Sequence, residues 1–265
     1  MQTNFDILLT KKYLIAALVG VAAVNLTSNF VSKDMAIFVG NFSYVPIAGA
    51  LLVLSMLILI RFRTTGHHGV AWFSFGGYAI ASFIGEMLWI VQEVYLKIDP
   101  FPSAADIFYL VSYPFLLMFF VSYFQPVKNA ITKKIFVVPL LLAVTILTLS
   151  LYFVLGNGAN GELFEGVLAT IYPIFDAMII IPAMMGVALF FKGKVNFMWT
   201  LFCFGIISLF VADTAFLFGQ NEDSYYTGNP MEILFSWNYI LLSFGIYNHL
   251  ALFQKQKGSR LEDLR

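Results

Sequence analysis

Asp106-Ile107-Phe108, followed by Ser112-Tyr113 and Leu116, returns in the second half of the chain as Glu232-Ile233-Leu234, followed by Asn238-Tyr239 and Leu242. A second stretch returns at nearly the same interval. Pro46-Ile47 and Ala50 are answered by Pro173-Ile174 and Ala177, and Glu86 and Glu93 by Asp213 and Gln220. Self-similarity of this kind marks one half as a diverged copy of the other and sets an architecture before any helix is drawn. The expected plan is a single membrane domain over residues 1–265, with one repeat over about 13–124, a second over about 134–253, and a short charged tail from Gln254 to Arg265.

Composition fixes the solvent. With 60% hydrophobic residues, 11% charged and a mean hydropathy of +0.84, the chain carries more apolar surface than a water-exposed globule tolerates. Net charge is zero and no basic tract interleaved with aromatics occurs, so nothing points to a nucleic-acid partner. The single cysteine, Cys203, lies in an apolar run, and no disulfide or zinc framework can be built from it.

Apolar runs of about 20 residues, the length that crosses ~30 Å of hydrocarbon, fall at about 13–31, 37–60, 70–95, 104–124, 134–155, 166–191, 196–219 and 231–253. The expected fold is therefore an all-α integral membrane protein of eight transmembrane helices, arranged as two parallel four-helix repeats. The first run has a second reading: Lys11-Lys12 before an apolar stretch ending Val21-Ala22-Ala23 also suits a cleavable secretory signal. A four-plus-four repeat requires that helix to stay.

Charge placement is an independent check on the count. With the N-terminus in the cytoplasm, the inner segments hold Lys11, Lys12, Arg61, Arg63, Lys128, Lys133, Lys134, Lys192, Lys194, Lys255, Lys257, Arg260 and Arg265, and the outer ones Lys33 and Lys97. This is the asymmetry of the positive-inside rule, and one span more or fewer in the middle destroys it. Both termini are expected in the cytoplasm of a cell-membrane protein. Four helices per repeat bring both halves in from the same side, so the repeats are related by an axis along the membrane normal rather than inverted.

Acids within hydrocarbon are costly and usually face a partner or a polar interior. Glu86, Trp89 and Glu93 stand at i, i+3 and i+7 on the third run, and Asp213 and Gln220 repeat the i, i+7 spacing on the seventh. Asp106 and Tyr113 open the fourth run as Glu232 and Tyr239 open the eighth, and Asp176 adds an acid on the sixth. These ten residues are expected to line a polar vestibule facing outward. The bland alternative is that such acids are glue between helices, or first-turn caps in the case of Asp106 and Glu232.

Other residues carry less. His67, His68 and His249 lack metal-ligand spacing, and the aromatic residues suit helix packing and interfacial anchoring. Asn25-Leu26-Thr27 and Asn41-Phe42-Ser43 match a glycosylation pattern but fall within expected spans, and Gly156-Asn157-Gly158-Ala159-Asn160-Gly161 reads as an outer turn without the lysine of a phosphate loop. No lysine lies within an expected span, which leaves no retinal Schiff base, and no nucleophile–base constellation is present.

The run Gly85-Glu86-Met87-Leu88-Trp89, then Asp99-Pro100-Phe101-Pro102-Ser103-Ala104-Ala105-Asp106-Ile107-Phe108-Tyr109-Leu110 and Tyr113-Pro114, resembles the multi-span membrane region found ahead of GGDEF and EAL signalling domains in bacteria. Ala212-Asp213, Tyr226, Gly228, Trp237 and Tyr239 are similar to its second-half pattern. The resemblance implies a sensory or input module. No GGDEF or EAL domain is present in this chain, so it implies output through a separate membrane or signalling partner. The expected function is a stand-alone, sensor-like or scaffolding membrane protein that binds a small ligand or a membrane partner at the outer vestibule. A proton- or cation-coupled transporter is the alternative, and an intramembrane enzyme comes third.

Overall fold

The computed structural model describes residues 2–62, 64–156, 163–222 and 224–262, with side chains described over 10–62, 64–152, 166–222 and 224–252. Most of the expected outer turn after Gly156 and the side chains of the tail from Gln254 lie outside the described residues. Among the described residues the chain is all-helical. Its eight long helices are α1 (Gln2–Val31), α2 (Lys33–Phe62), α3 (Gly66–Ile90), α4 (Ala104–Phe124), α5 (Lys133–Gly156), α6 (Leu163–Leu189), α7 (Asn196–Asn221) and α8 (Ile233–Glu262). A helix closes its backbone hydrogen bonds within itself, which hydrocarbon demands.

Helices α1 to α7 are long and apolar enough to cross a membrane, with mean hydropathies between 1.3 and 2.4. Helix α8 carries Ser236, Asn238, Ser243, Asn248 and His249 in the corresponding stretch, and all five are buried against protein. The chain thus suits a multi-pass membrane protein with seven or eight crossings. The expected spans fall on these helices; α1 departs most, running back to Gln2 so that Lys11 and Lys12 are helical.

Consecutive helices pack on one another within each half, and the halves meet where α1 and α2 lie on α8 and where α4 lies on α6. Helices α1 and α5 are peripheral: their apolar windows are 11% and 17% buried, against 56% for α3, α6 and α7. The tightest pairing is α3 with α4. A methyl on Gly77 would come within 2.6 Å of the Phe115 ring, and one on Gly85 within 2.6 Å of Tyr109. Small residues there let the two backbones approach closely, as membrane helices do where packing rather than water drives association.

Toward the end that carries the loop between α2 and α3, the interior is filled with rings. Trp72, Phe75, Phe119, Trp199 and Phe202 are all fully buried, with Phe75 5.1 Å from Phe119 and 5.4 Å from Phe202 between centroids. His68 and His249 belong to this packing, 5.0 Å from Tyr123 and from Trp72 respectively. The opposite end is built differently. Helix α3 runs into a π-helical turn at Val91–Leu96 that stops at Lys97, whose φ of 57° is left-handed. A segment through a cis Phe101-Pro102 bond then leads to α4, and a 3₁₀ turn at Pro230–Glu232 leads into α8. Between these ends lies a cavity.

Candidate functional site

Two acids enter the cavity through helix starts. Ser103 caps α4: its Oγ accepts from Ala105 N at 3.1 Å, while Asp106 Oδ2 accepts from Ser103 N at 2.7 Å. This is the reciprocal capping box, which satisfies backbone donors that a helix start otherwise leaves bare. The other oxygen, Asp106 Oδ1, accepts the phenol of Tyr172 on α6 at 2.7 Å. Glu232 divides its oxygens in the same way. Its Oε2 accepts from Gly228 N at 3.0 Å and from the Tyr44 phenol on α2 at 3.4 Å, while Oε1 accepts from the Tyr225 phenol. Tyr225 lies in the loop before α8, and burial, reinforced by Glu232, pushes its phenol up, which keeps it a neutral donor. Each of these acids therefore closes a helix start and also meets a tyrosine from the other half of the chain.

The deeper acids follow the same rule. Tyr239 on α8 donates to Glu86 Oε1 on α3 at 2.7 Å. Tyr113 on α4 lies 2.8 Å from Asp176 Oδ1 on α6 and 2.9 Å from Asp213 Oδ2 on α7. A phenol has one hydrogen to give, so only one of these two contacts can be supplied by Tyr113, and the other needs a hydrogen carried on a carboxyl. Hydrogen bonds to carboxylates are among the stronger ones, about 1.5–3 kcal/mol each. Tyr239–Glu86, Tyr113–Asp213 and Tyr172–Asp106 are such pairs between the halves, and Tyr44 meets Glu232 more loosely, at 3.2 Å from its carbonyl oxygen and 3.4 Å from Oε2.

Around them the cavity walls are Tyr44, Tyr78, Tyr109, Tyr113, Tyr172, Tyr225 and Tyr239; Glu86, Asp106, Asp213 and Glu232; and Trp89, Phe216, Phe235, Leu209, Ser82, Ser112, Thr227 and Asn238. No lysine, arginine or histidine is among them. The 221–230 loop roofs it: Trp89 Nε1 donates to Thr227 Oγ1 at 3.0 Å, and Tyr225 packs edge-on to Phe216 at 4.6 Å. Measured to the centres of water-sized spheres, the volume is about 90 Å³. At ~10–15 Å³ per water this is room for about six to nine waters or one compact molecule. Four carboxyl groups with no basic wall residue give an interior rich in hydrogen-bond acceptors and without a fixed positive charge. Among the described residues no three of His, Cys, Asp or Glu are placed to hold one metal ion.

Seven of the ten residues singled out from sequence, Glu86, Trp89, Asp106, Tyr113, Asp213, Glu232 and Tyr239, stand in this wall. Asp176 is one hydrogen bond behind it, through Tyr113. Glu93 is not in the wall. The i+7 spacing shares a face only along a regular α-helix, and Glu93 lies in the π-helical turn, where Oε2 accepts from Asn41 Nδ2 on α2 at 2.7 Å. Gln220, near the end of α7, is also outside the wall. What the sequence reading missed is mainly tyrosine. Tyr44 and Tyr172 sit two and one residues before Pro46 and Pro173, just ahead of the segments compared between the halves. Both glycosylation-like asparagines have structural work instead: Asn25 Nδ2 donates to Gly228 O at 2.8 Å, and Asn41 holds Glu93.

No family model, no curated protein and no solved structure matches the chain.

Proposed function

We propose that this chain is an eight-span cell-membrane protein of sensor-like or scaffolding type, with both termini in the cytoplasm, whose carboxyl–tyrosine cavity faces outward and binds a small ligand. The observation that carries the reading is the crosswise pairing itself: each wall acid takes a hydrogen bond from a tyrosine of the opposite half. A ligand that engages these acids acts on the contacts that hold one half against the other, which is how binding becomes a change of shape. The basic residues in the loops at the aromatic end support the orientation. The resemblance to the membrane input regions of bacterial signalling proteins favours transmission to a separate partner.

The repeat belongs to this proposal too. Exchanging the halves carries the α2–α8 contact into α6–α4, and carries Tyr239–Glu86 into Tyr113–Asp213. A transporter is the second reading, favoured by acids at the interface of two repeats. It needs a path to the other end, where Phe75 rests 5.4 Å from the wall residue Tyr78 and the rings below it are closely packed.

Glu86→Gln and Asp213→Asn keep volume and hydrogen-bonding capacity, so both variants are expected to insert and fold while altering ligand or partner binding. Reconstituted vesicles are expected to show no substrate-dependent proton or cation flux. Flux abolished by these substitutions establishes the transporter instead.

A further inference from the structure

From the cavity we infer the class of its ligand: a compact organic cation, a protonated amine or quaternary ammonium, held by carboxylates and aromatic faces together. The inference rests on the cavity being a ligand site, as proposed above. Its first support is the one-sided chemistry of the wall, where four acids face the space and no basic side chain does. Lys33, whose Nζ lies 4.8 Å from the Tyr226 ring centroid, is outside the wall, as is Tyr226.

The second support is the way the aromatic residues are used. Tyrosines and Trp89 stand in the same wall as the acids, so a cation inside has aromatic side chains as well as carboxyl groups around it, and rings attract cations within about 6 Å of their centroids. A bare metal ion is the poorer fit, because no three acids converge on one point. Acids spread around a cavity of about 90 Å³ suit a charge that is itself spread over an alkylammonium group.

The test is calorimetric titration of the full chain, purified in detergent, with choline, tetramethylammonium, butylamine and phenethylamine. Each is paired with an uncharged counterpart, 3,3-dimethylbutan-1-ol standing for choline, and butyrate serves as the anionic control. At least one ammonium probe is expected to bind saturably and about tenfold or more tighter than its neutral counterpart, the size of one good cation–π or carboxylate contact. Glu86→Gln is expected to weaken that probe by about tenfold, and Trp89→Leu serves if the first variant does not survive extraction. Equal or tighter binding of the neutral counterparts, or preference for butyrate, overturns the cationic class and leaves the cavity a ligand site. Absence of binding by every probe counts against both.

Discussion

Tyr113 is the residue at which the two halves are most closely joined, since its one hydroxyl lies within hydrogen-bond distance of Asp176 and Asp213. Tyr113→Phe leaves two buried acids short of a partner, and a buried polar group so stranded costs about 1–3 kcal/mol. The variant is expected to lose about 2 kcal/mol or more in thermal denaturation in detergent, beyond any loss in Tyr247→Phe at a half-exposed position. Equal losses in the two variants contradict the bridging role. The acids of this network were legible in the sequence because a carboxylate inside an apolar run is conspicuous. Most of their tyrosine partners were not, because 13 tyrosines and 29 phenylalanines make an aromatic residue unremarkable until its neighbour across the interface is known. Glu93 falls outside the wall for a different reason: a spacing rule places side chains on one face only while the helix keeps one period, and the π-helical turn at Val91–Leu96 breaks it, whereas Gln220 lies outside at the far end of the regular helix α7.

At the level of elements, the loop between α7 and α8 is held by α1. Asn25 Nδ2 and Asn29 Nδ2 both reach Gly228 O, at 2.8 and 2.6 Å, and the Tyr226 phenol donates to Asn29 Oδ1 at 2.7 Å. Gly228 itself has φ +83°, and a methyl there would stand 2.0 Å from Ala36 O. No side chain fits at that point, and L-residues disfavour that backbone conformation. Gly228→Ala is therefore expected to free the loop and unseat Glu232, at a cost of about 2 kcal/mol or more. The measurement is amide hydrogen exchange, with protection lost over 224–232 and kept over α3; unchanged protection in the loop contradicts the account. These contacts also give α1 a role that its apolar sequence did not announce. Asn25 and Asn29, on which the cavity roof rests, lie beyond Val21-Ala22-Ala23, so these contacts concern the end of α1 and not the signal-like stretch before it.

Across the whole molecule, the proposed repeat is matched by some contacts and not by others: α2 lies on α8 as α4 lies on α6, with a tyrosine–carboxyl pair of each half reaching into the other, whereas α1 also lies on α8. The boundaries of the helices were legible because hydrocarbon dictates their length. The peripheral places of α1 and α5 were not, since periodicity shows that a helix is apolar without showing which neighbours cover it. One end of the bundle is closed by packed rings, and with the orientation proposed above the carboxyl–tyrosine cavity is open from outside the cell and closed from within. Substituted-cysteine labelling tests this most directly. Ser82→Cys places a thiol in the cavity wall, and Cys203→Ala removes the one native thiol. The account predicts that a small, membrane-impermeant, positively charged thiol reagent added to intact cells modifies the Ser82→Cys position, and that permeabilising the cells adds nothing further. Labelling that appears only after permeabilisation contradicts it.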